Sequence, residues 1–447
     1  MTLTASSHGP VIRVEDTDMG VYCQASRIRE SDDGIEAELL IEADLQIDGE
    51  KHRVKLNHSR VNLLNDGQKQ RLQIRLQEVV TSSDSITGTE KFSWASTVPN
   101  LCSKIAEQYR VGIPAVSFSE RREISRRSWL IRDFILKGVP NILWAEGGSC
   151  KSYLSLLSSC LIARGMTASG LHASMGNVLY LDWEEDEELF YTRMIAVQRG
   201  LKIADPYTIP NMMYKKLTGS LAGQVEDLIS LIDKNNINFC VIDSVGAALG
   251  GNGIEAQPVE ELFDAMGILG VTSLLIDHAR KGGDDMYGSI YKGNRARQVR
   301  KLKKVQVHGS DLTEIMIQHD KGNDTNLKEP MSFLVKFDNK VELNEGEYFE
   351  YANSVVFEPV ALDSANSELQ SEYSVPQIVR NQLARTPTAS LTSLAKLASE
   401  IKGSQVSESD ITESIARMQD INITGEMVSK SVEKEIKRFR IKPSTNE

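Results

Sequence analysis

The sequence is poor in cysteine and lacks long apolar runs, and each absence excludes a class of protein. Its five cysteines are scattered without a Cys-x-x-Cys pair, which excludes a disulfide framework and the common zinc motifs. No run approaches the roughly 18 apolar residues that a membrane span needs. The first residues also lack the basic flank and apolar stretch of a signal peptide. We therefore expect a cytoplasmic protein with no membrane partner.

The sequence also has fewer basic than acidic residues. The formal net charge of -11 and the pI near 5.4 exclude a protein that coats nucleic acid through its overall charge. Any contact with a polyanion must therefore use a local basic patch. The 40% hydrophobic content is enough for ordinary folded cores, and 447 residues is the length of about three domains.

Changes in pattern along the chain divide it into modules. Polar and apolar residues alternate over 12–60 and two helical patterns follow, which predicts an N-terminal α+β module at 1–119. We assign a core domain to 120–360 and a linker to 361–372. The last segment, 373–447, has helical patterns and a basic end, so it is either a helical piece for oligomerisation or capping, or a DNA-binding winged helix. Its predicted helices are 376–383, 391–401, 408–418 and 428–439.

The core domain alternates short apolar runs with amphipathic segments, the pattern of a parallel sheet flanked by helices. The predicted strands are 141–145, 177–183, 237–243 and 271–278, with added β-strands at 303–308, 313–319 and 331–337. The predicted helices are 151–164, 185–199, 224–235 and 259–268. This is an α/β fold class, in which ligands bind at the carboxyl edge of the sheet.

A glycine-rich turn joins the first predicted strand of the core to its helix. It reads Ala-Glu-Gly-Gly-Ser-Cys-Lys-Ser over 145–152, close to the P-loop pattern of Gly, four residues and Gly-Lys-Ser/Thr. Backbone N–H groups of such a loop cradle phosphates, so the turn predicts ATP binding. The predicted nucleotide contacts are Glu146, Gly147, Gly148, Ser149, Cys150, Lys151, Ser152 and Tyr153. Cys150 replaces a pattern glycine, which costs about 1–2 kcal/mol if its φ is positive.

Polar side chains end the neighbouring predicted strands. Asp243 follows an apolar run in the Walker-B manner, so we predict that it holds Mg²⁺ together with Ser152. Glu184 is the candidate for orienting the attacking water, with Glu185 as the neighbour that is easily confused with it. His278 is the candidate sensor of the γ-phosphate. Each has a structural alternative, because strand-end acids often only favour the next helix and a lone histidine often only completes a hydrogen bond.

At these residues the order and spacing resemble the RecA-like P-loop ATPases, and specifically the RepA-type replicative helicase branch found in phages and plasmids. The resemblance covers roughly 128–330. It implies ATP and Mg²⁺ as ligands, a homo-oligomeric ring of six subunits, and two loops, 246–258 and 281–297, that contact single-stranded DNA. It also makes replication proteins candidate partners.

A basic run at 292–304 adjoins the second loop and can follow a phosphate backbone. Its predicted DNA contacts are Lys292, Arg295, Arg297 and Arg300. The resemblance further implies a cation that reaches a neighbouring subunit's ATP, for which Lys321 is the candidate, with Arg295 and Arg297 as rivals. The alternative function is an ATP-dependent regulatory switch that recruits proteins with little turnover, because the P-loop departs from its pattern. A third is a DNA-binding adaptor that acts through its C-terminal helices.

Overall fold

The structure is a computed structural model that describes most of the chain. The described residues are 3–81, 86–87, 89–112, 119, 126–280, 285–288, 290–306, 312–344, 347–361, 369, 374–386, 388–416, 421–424 and 427–430. Apart from 361 and 369, the predicted linker lies outside them, as does the basic C-terminal end. Among the described residues, no helix has the length and apolar character needed to cross a bilayer.

The N-terminal module is an antiparallel sheet packed against two helices. Its strands are β1 (Leu3–His8), β2 (Val11–Asp16), β3 (Val21–Ser31), β4 (Gly34–Ile47), β5 (Glu50–Asn62) and β6 (Ile86–Thr87), and its helices are α1 (Asp66–Thr81) and α2 (Trp94–Val111). The sheet order is β1-β2-β3-β4-β5, with β6 on β4. Strand β4 buries every second residue, including Leu39 and Ile41, and these pack with Leu76 of α1 and Leu101 of α2. The alternation predicted from the sequence therefore builds this core.

The core domain has a parallel sheet with helices on both faces. The strands of this parallel sheet are β9 (Pro140–Ala145), β12 (Val178–Asp182), β13 (Met212–Lys216), β14 (Phe239–Asp243) and β15 (Thr272–His278). Two small hairpins accompany it, one formed by β7 (Trp129–Ile131) and β8 (Ile135–Leu136) and the other by β10 (Thr167–Ala168) and β11 (Leu171–His172). The helices are α3 (Lys151–Arg164), α4 (Glu187–Gly200), α5 (Val225–Lys234), α6 (Val245–Ala248), α7 (Ala256–Leu269) and α8 (Tyr291–Arg295). Helices α3 and α4 cover one face of the sheet, whereas α5 and α7 cover the other.

The parallel strands run in the order β13-β12-β14-β15-β9. In register, Asp182 lies beside Asp243, and His278 lies beside Ala145. The polar residues that end these strands therefore meet at one edge of the sheet, next to the turn that follows β9.

Four long strands extend this sheet beyond β9. They are β16 (Gln298–Gln306), β17 (Leu312–Gly322), β18 (Met331–Asn344) and β19 (Glu347–Val360). Strand β16 is parallel to β9, and the others continue antiparallel. The sequence predicted three of these strands, at 303–308, 313–319 and 331–337, and did not predict β19. The three are longer than predicted, because polar residues at the hairpin ends interrupt the apolar pattern.

The described C-terminal part is mixed rather than purely helical. It contains α9 (Val375–Arg385), β20 (Thr388–Ser390), α10 (Leu391–Lys402), α11 (Glu408–Ile415), β21 (Ile421–Thr424) and β22 (Met427–Lys430), with sheet order β20-β22-β21. The helix predicted over 428–439 is wrong at 428–430, which form β22, and its remainder lies outside the described residues. Alternation of Met427, Val428 and Ser429 suits a strand on a small sheet. This part packs against Met316 and Val305 of the core domain.

A buried histidine makes the stability of the β17 region depend on pH. The His319 ring donates from Nε2 to Lys321 O at 2.8 Å and accepts the Lys328 N–H at Nδ1 at 2.9 Å. Burial lowers its pKa from 6.5 to about 4. The folded state therefore favours the neutral ring, and its contribution is complete above about pH 6.5 and is lost as the pH falls towards 4.

As the pH is lowered from 6.5 to 4, protonation of His319 is expected to reduce the free energy of unfolding by up to about 3 kcal/mol. Urea unfolding of the wild type and His319→Gln at several pH values measures it. The free energy of unfolding of the variant should change less with pH over that interval than that of the wild type. An equal pH dependence in both proteins would contradict the prediction.

Candidate functional site

The turn between β9 and α3 has the left-handed backbone that phosphate loops use. Gly148 has a φ of 66° and Cys150 a φ of 65°, and Cys150 is the residue before the first turn of α3. The sequence thus places a cysteine where the pattern has a glycine, and the backbone keeps the glycine conformation. This strain is local to the loop.

Lys151 is buried and folded back onto the loop. Its Nζ donates to Ala145 O at 3.1 Å and to Glu146 O at 2.8 Å, and it lies 3.5 Å from Ser149 Oγ. Burial lowers the pKa of this ammonium, and the nearby Asp243 and Glu184 partly offset the effect. The loop carbonyls therefore hold the charge at the base of the loop.

Asp243 ends β14 in a buried polar cluster. Its Oδ2 accepts the Tyr180 hydroxyl at 2.7 Å, and that hydroxyl lies 2.8 Å from Ser155 Oγ. The Ser152 hydroxyl also hydrogen-bonds to Asp243. Burial raises the pKa of Asp243 to about 6, and the nearby Asp182 and Glu184 carboxylates add to this effect.

Glu184 follows β12 and points to the ends of β14 and β15. Its Oε1 accepts the Ser244 hydroxyl and lies 3.5 Å from His278 Nε2. The hydrogen bond with His278 is the main reason why its pKa is lowered to about 2. The turn that positions it is fixed by Asp182, whose Oδ1 accepts the Glu184 N–H at 2.8 Å.

Glu185 points elsewhere, although it is adjacent in sequence. Its carboxylate pairs with Arg193 of α4 at 3.1 Å. The Arg193 guanidinium lies over the Tyr153 ring, 5.7 Å from its centroid, and Tyr153 packs edge-on against Phe337 of β18. Glu184 is therefore the carboxylate at the strand ends, and Glu185 belongs to a separate aromatic and basic group.

One cavity of about 370 Å³ joins these groups. Its lining includes the loop residues Gly148, Ser149, Cys150, Lys151, Ser152 and Tyr153, the strand-end residues Glu184, Asp243 and His278, and Glu185, Arg193, Gln306, Thr313 and Phe337. Phosphate-binding backbone lies at one end and an arginine with two aromatic rings lies beside it. A nucleotide has the same division into charged phosphates and a flat base.

The donor set at Ser152 and Asp243 fits Mg²⁺. A hydroxyl and a carboxylate are the hard oxygen ligands that this ion prefers, and Mg²⁺ usually takes only one or two from the protein. Asp243 is buried, and the Ser152 hydroxyl already hydrogen-bonds to it, so the two ligands lie side by side. When bound, the ion would neutralise charge on the phosphate oxygens.

Lys321 lies away from this cavity, and its ammonium is occupied. Its Nζ donates to Gly293 O at 2.6 Å, Asn294 O at 3.0 Å and Ala296 O at 2.9 Å. An ammonium has three donors, so all of them bind carbonyls at the end of α8. The prediction that Lys321 reaches a neighbouring ATP does not fit this structure.

Two of the four predicted DNA contacts are buried. Lys292 is 0% exposed, and its Nζ lies 2.9 Å from Asp277 Oδ2. Arg300 is 2% exposed and donates to Phe134 O at 2.9 Å. The predictions that Lys292 and Arg300 contact DNA are therefore wrong. Most of the basic run lies within α8 and β16, where the side chains of these two residues are packed inside the domain.

Arg295 and Arg297 remain partly exposed at the surface. Arg295 is paired with Asp264 of α7, and Arg297 lies 4.0 Å from Asp324. Their side chains are 42% and 48% exposed. The prediction that they contact DNA or a neighbouring nucleotide stays open.

Sequence reasoning missed several members of the site. Tyr180 lies inside an apolar strand, so its hydroxyl looked like part of the core, and Ser155 looked like an ordinary helix residue. Phe337 comes from a strand far along the chain. Of these residues, only Tyr180 could have been identified from the sequence. It is a residue with a polar hydroxyl inside the apolar run 178–182, and a buried tyrosine hydroxyl usually needs a hydrogen-bond partner.

Residues 107–284 match the model of the protein family described as an AAA domain. Among solved structures, the chain is similar to a KaiC-like protein from the hyperthermophilic archaeon Pyrococcus horikoshii OT3, at 16% identity and a TM-score of 0.35. That similarity covers 51% of this chain and 99% of the other. No curated protein matches the sequence. The family match spans the loop and the strands that carry Glu184, Asp243 and His278. Together with the loop geometry, it supports a P-loop ATPase with an α/β core.

Proposed function

We propose that the chain is an Mg²⁺-dependent ATPase of the RecA-like kind that hydrolyses ATP in the 370 Å³ cavity. The observation that carries this proposal is the convergence of Lys151, Asp243, Glu184 and His278 on one cavity beside a left-handed glycine loop. A structural turn with a surface lysine would not gather two carboxylates and a histidine from three other strands.

Each residue then has a separate task. Lys151 leaves the Ala145 and Glu146 carbonyls and binds the terminal phosphates, while Ser152 and Asp243 hold Mg²⁺. Glu184 accepts a hydrogen bond from the attacking water. A carboxylate whose pKa is near 2 is a weak base, so its main role is to orient the water, which suits a loose phosphoryl-transfer transition state. His278 senses the γ-phosphate through its contact with Glu184.

The base of the nucleotide would lie against the aromatic and basic group beside the loop. The Arg193 guanidinium lies over the Tyr153 ring there, and Phe337 packs edge-on against Tyr153. A guanidinium and an aromatic face bind a flat heterocycle by stacking. This arrangement favours a purine nucleotide but does not distinguish ATP from GTP.

We further propose that the ATPase works as a ring on single-stranded DNA, as a helicase of phage or plasmid replication. A second, larger cavity of about 850 Å³ supports this role, because Tyr287, Trp144 and Ile290 supply aromatic and apolar surface and Arg280 supplies positive charge. Two carboxylates, Asp285 and Asp320, also line it. Stacking surfaces next to cations are what single strands bind. The described C-terminal residues form three helices and a small sheet, so this part is a candidate winged helix and a second candidate contact.

The ATP-dependent switch remains the second candidate function. The observation that favours it is the burial of Lys292 and Arg300, which removes two cations from the predicted DNA surface. In addition, the described part of α11 presents Glu408, Asp410 and Glu413, and it would repel a phosphate backbone. A switch would bind ATP, assemble and recruit a protein partner with little turnover.

The two functions differ in their response to single-stranded DNA. For the helicase, we expect the ATPase rate at low salt to rise at least severalfold with a poly-dT oligonucleotide, and to fall again as salt is added. Duplex DNA of the same length is the control. Light scattering with and without ATP measures ring formation. A rate that ignores DNA, together with ATP-dependent assembly, would select the switch.

A further inference from the structure

Lys304 makes a contact with the phosphate loop that the proposed function does not use. It lies near the end of β16, and its Nζ is 2.6 Å from Gly148 O and 3.2 Å from Gln306 Oε1. A short hydrogen bond from an ammonium is among the strong ones. Lys304 lines a separate cavity of about 220 Å³ together with Ala145 and Glu146, whereas its two partners, Gly148 and Gln306, line the nucleotide cavity.

This contact fixes the direction of one peptide group. In a trans peptide the carbonyl and the following N–H point in opposite directions. When the Gly148 carbonyl is held on Lys304, the Ser149 N–H therefore points away from Lys304, so the lysine fixes the direction of one N–H of a residue that lines the nucleotide cavity. Inward N–H groups are the basis of phosphate binding by such loops.

The loop needs this support because of Cys150. Its φ of 65° is a conformation that glycine adopts freely and that a cysteine adopts at a cost. In the ordinary pattern, a glycine at this position lets the loop keep its shape without help. Here the strained residue lies two positions after Gly148, the residue whose carbonyl Lys304 binds.

We propose that Lys304 is a positioning residue that keeps the loop in its phosphate-binding shape and offsets the strain at Cys150. This rests on the proposed ATP binding. The strand that carries Lys304 is itself held, because the adjacent Val305 packs with the cluster formed by Met316 and the C-terminal helices. A loop that departs from its pattern is thereby supported from a distant strand.

The test combines Lys304→Met with Cys150→Gly. We expect Lys304→Met to raise the Kd for Mg·ATP about 5- to 30-fold, the size of the strain it offsets. Cys150→Gly removes the strain, so the double variant should recover most of that loss. Lys234→Met, an equal loss of charge at the exposed end of α5, should leave the Kd unchanged. Isothermal titration calorimetry on the full chain measures all four variants beside the wild type.

Two results would overturn the proposal. One is a Lys304→Met variant with the wild-type Kd. The other is a double variant as weak as Lys304→Met, which would mean that Lys304 acts only by its charge. Hydrogen exchange without nucleotide provides a test that does not need ATP binding: amides of 146–150 should exchange faster in Lys304→Met, and unchanged exchange would also overturn it. If the wild type binds no Mg·ATP but the loop loosens in the variant, the proposed function fails and the positioning role stands.

Discussion

Glu184→Gln is expected to lower kcat for ATP hydrolysis by about 10²- to 10⁴-fold, the usual contribution of a group that handles the reacting water. The amide keeps the size of the side chain and can still contact Ser244, but it loses the charge that His278 and Ser244 stabilise. ATP should bind at least as tightly, since a negative charge near the triphosphate is removed. Single-turnover rates and the Kd for Mg·ATP separate the two effects.

The chain contains a matched control for this substitution in the next residue. Glu185→Gln makes the same chemical change, but Glu185 pairs with Arg193 beside the Tyr153 ring. We expect it to change the Kd through the base-binding side of the cavity and to leave the chemical step nearly intact. If Glu185→Gln had the larger effect on kcat, the water-orienting role would belong to Glu185.

The parts of the fold that sequence predicts well are those governed by local pattern. Buried parallel strands are nearly continuous apolar runs, so β9, β12, β14 and β15 appear within two residues of their predicted positions. Because parallel strands end at one edge, the meeting of Glu184, Asp243 and His278 also follows from the sequence. Their hydrogen bonds do not, since these depend on side-chain directions that the pattern does not contain.

The errors have a common physical cause. The run 292–304 contains many lysines and arginines, which usually lie at the surface. Their long side chains nevertheless allow Lys292 to pair with buried Asp277 and Arg300 to donate to backbone carbonyls inside the domain. Lys321 was chosen by its position in a family pattern, whereas its bonds to the end of α8 depend on tertiary packing. Lys304 was missed for the same reason, because 156 residues separate it from Gly148.

Lys151→Ala is expected to abolish measurable turnover, with a loss of at least about 10²- to 10³-fold in kcat. The Kd for Mg·ATP should rise about 10- to 150-fold, because a charge-assisted contact with phosphate is lost. The substitution also removes the hydrogen bonds to Ala145 O and Glu146 O that order the empty loop. Lys104→Ala in α2 is the control for loss of a lysine outside the core domain.

Lys151→Met distinguishes the lost charge from a packing defect. Lys151 is 5% exposed, so an alanine leaves space around its buried stem, while methionine refills most of it. We expect methionine to restore the melting temperature towards that of the wild type but to restore neither turnover nor ATP affinity. A methionine variant that binds Mg·ATP normally would show that the ammonium is dispensable. The buried lysine would then serve only to hold the turn after β9, and the cavity would need a different ligand.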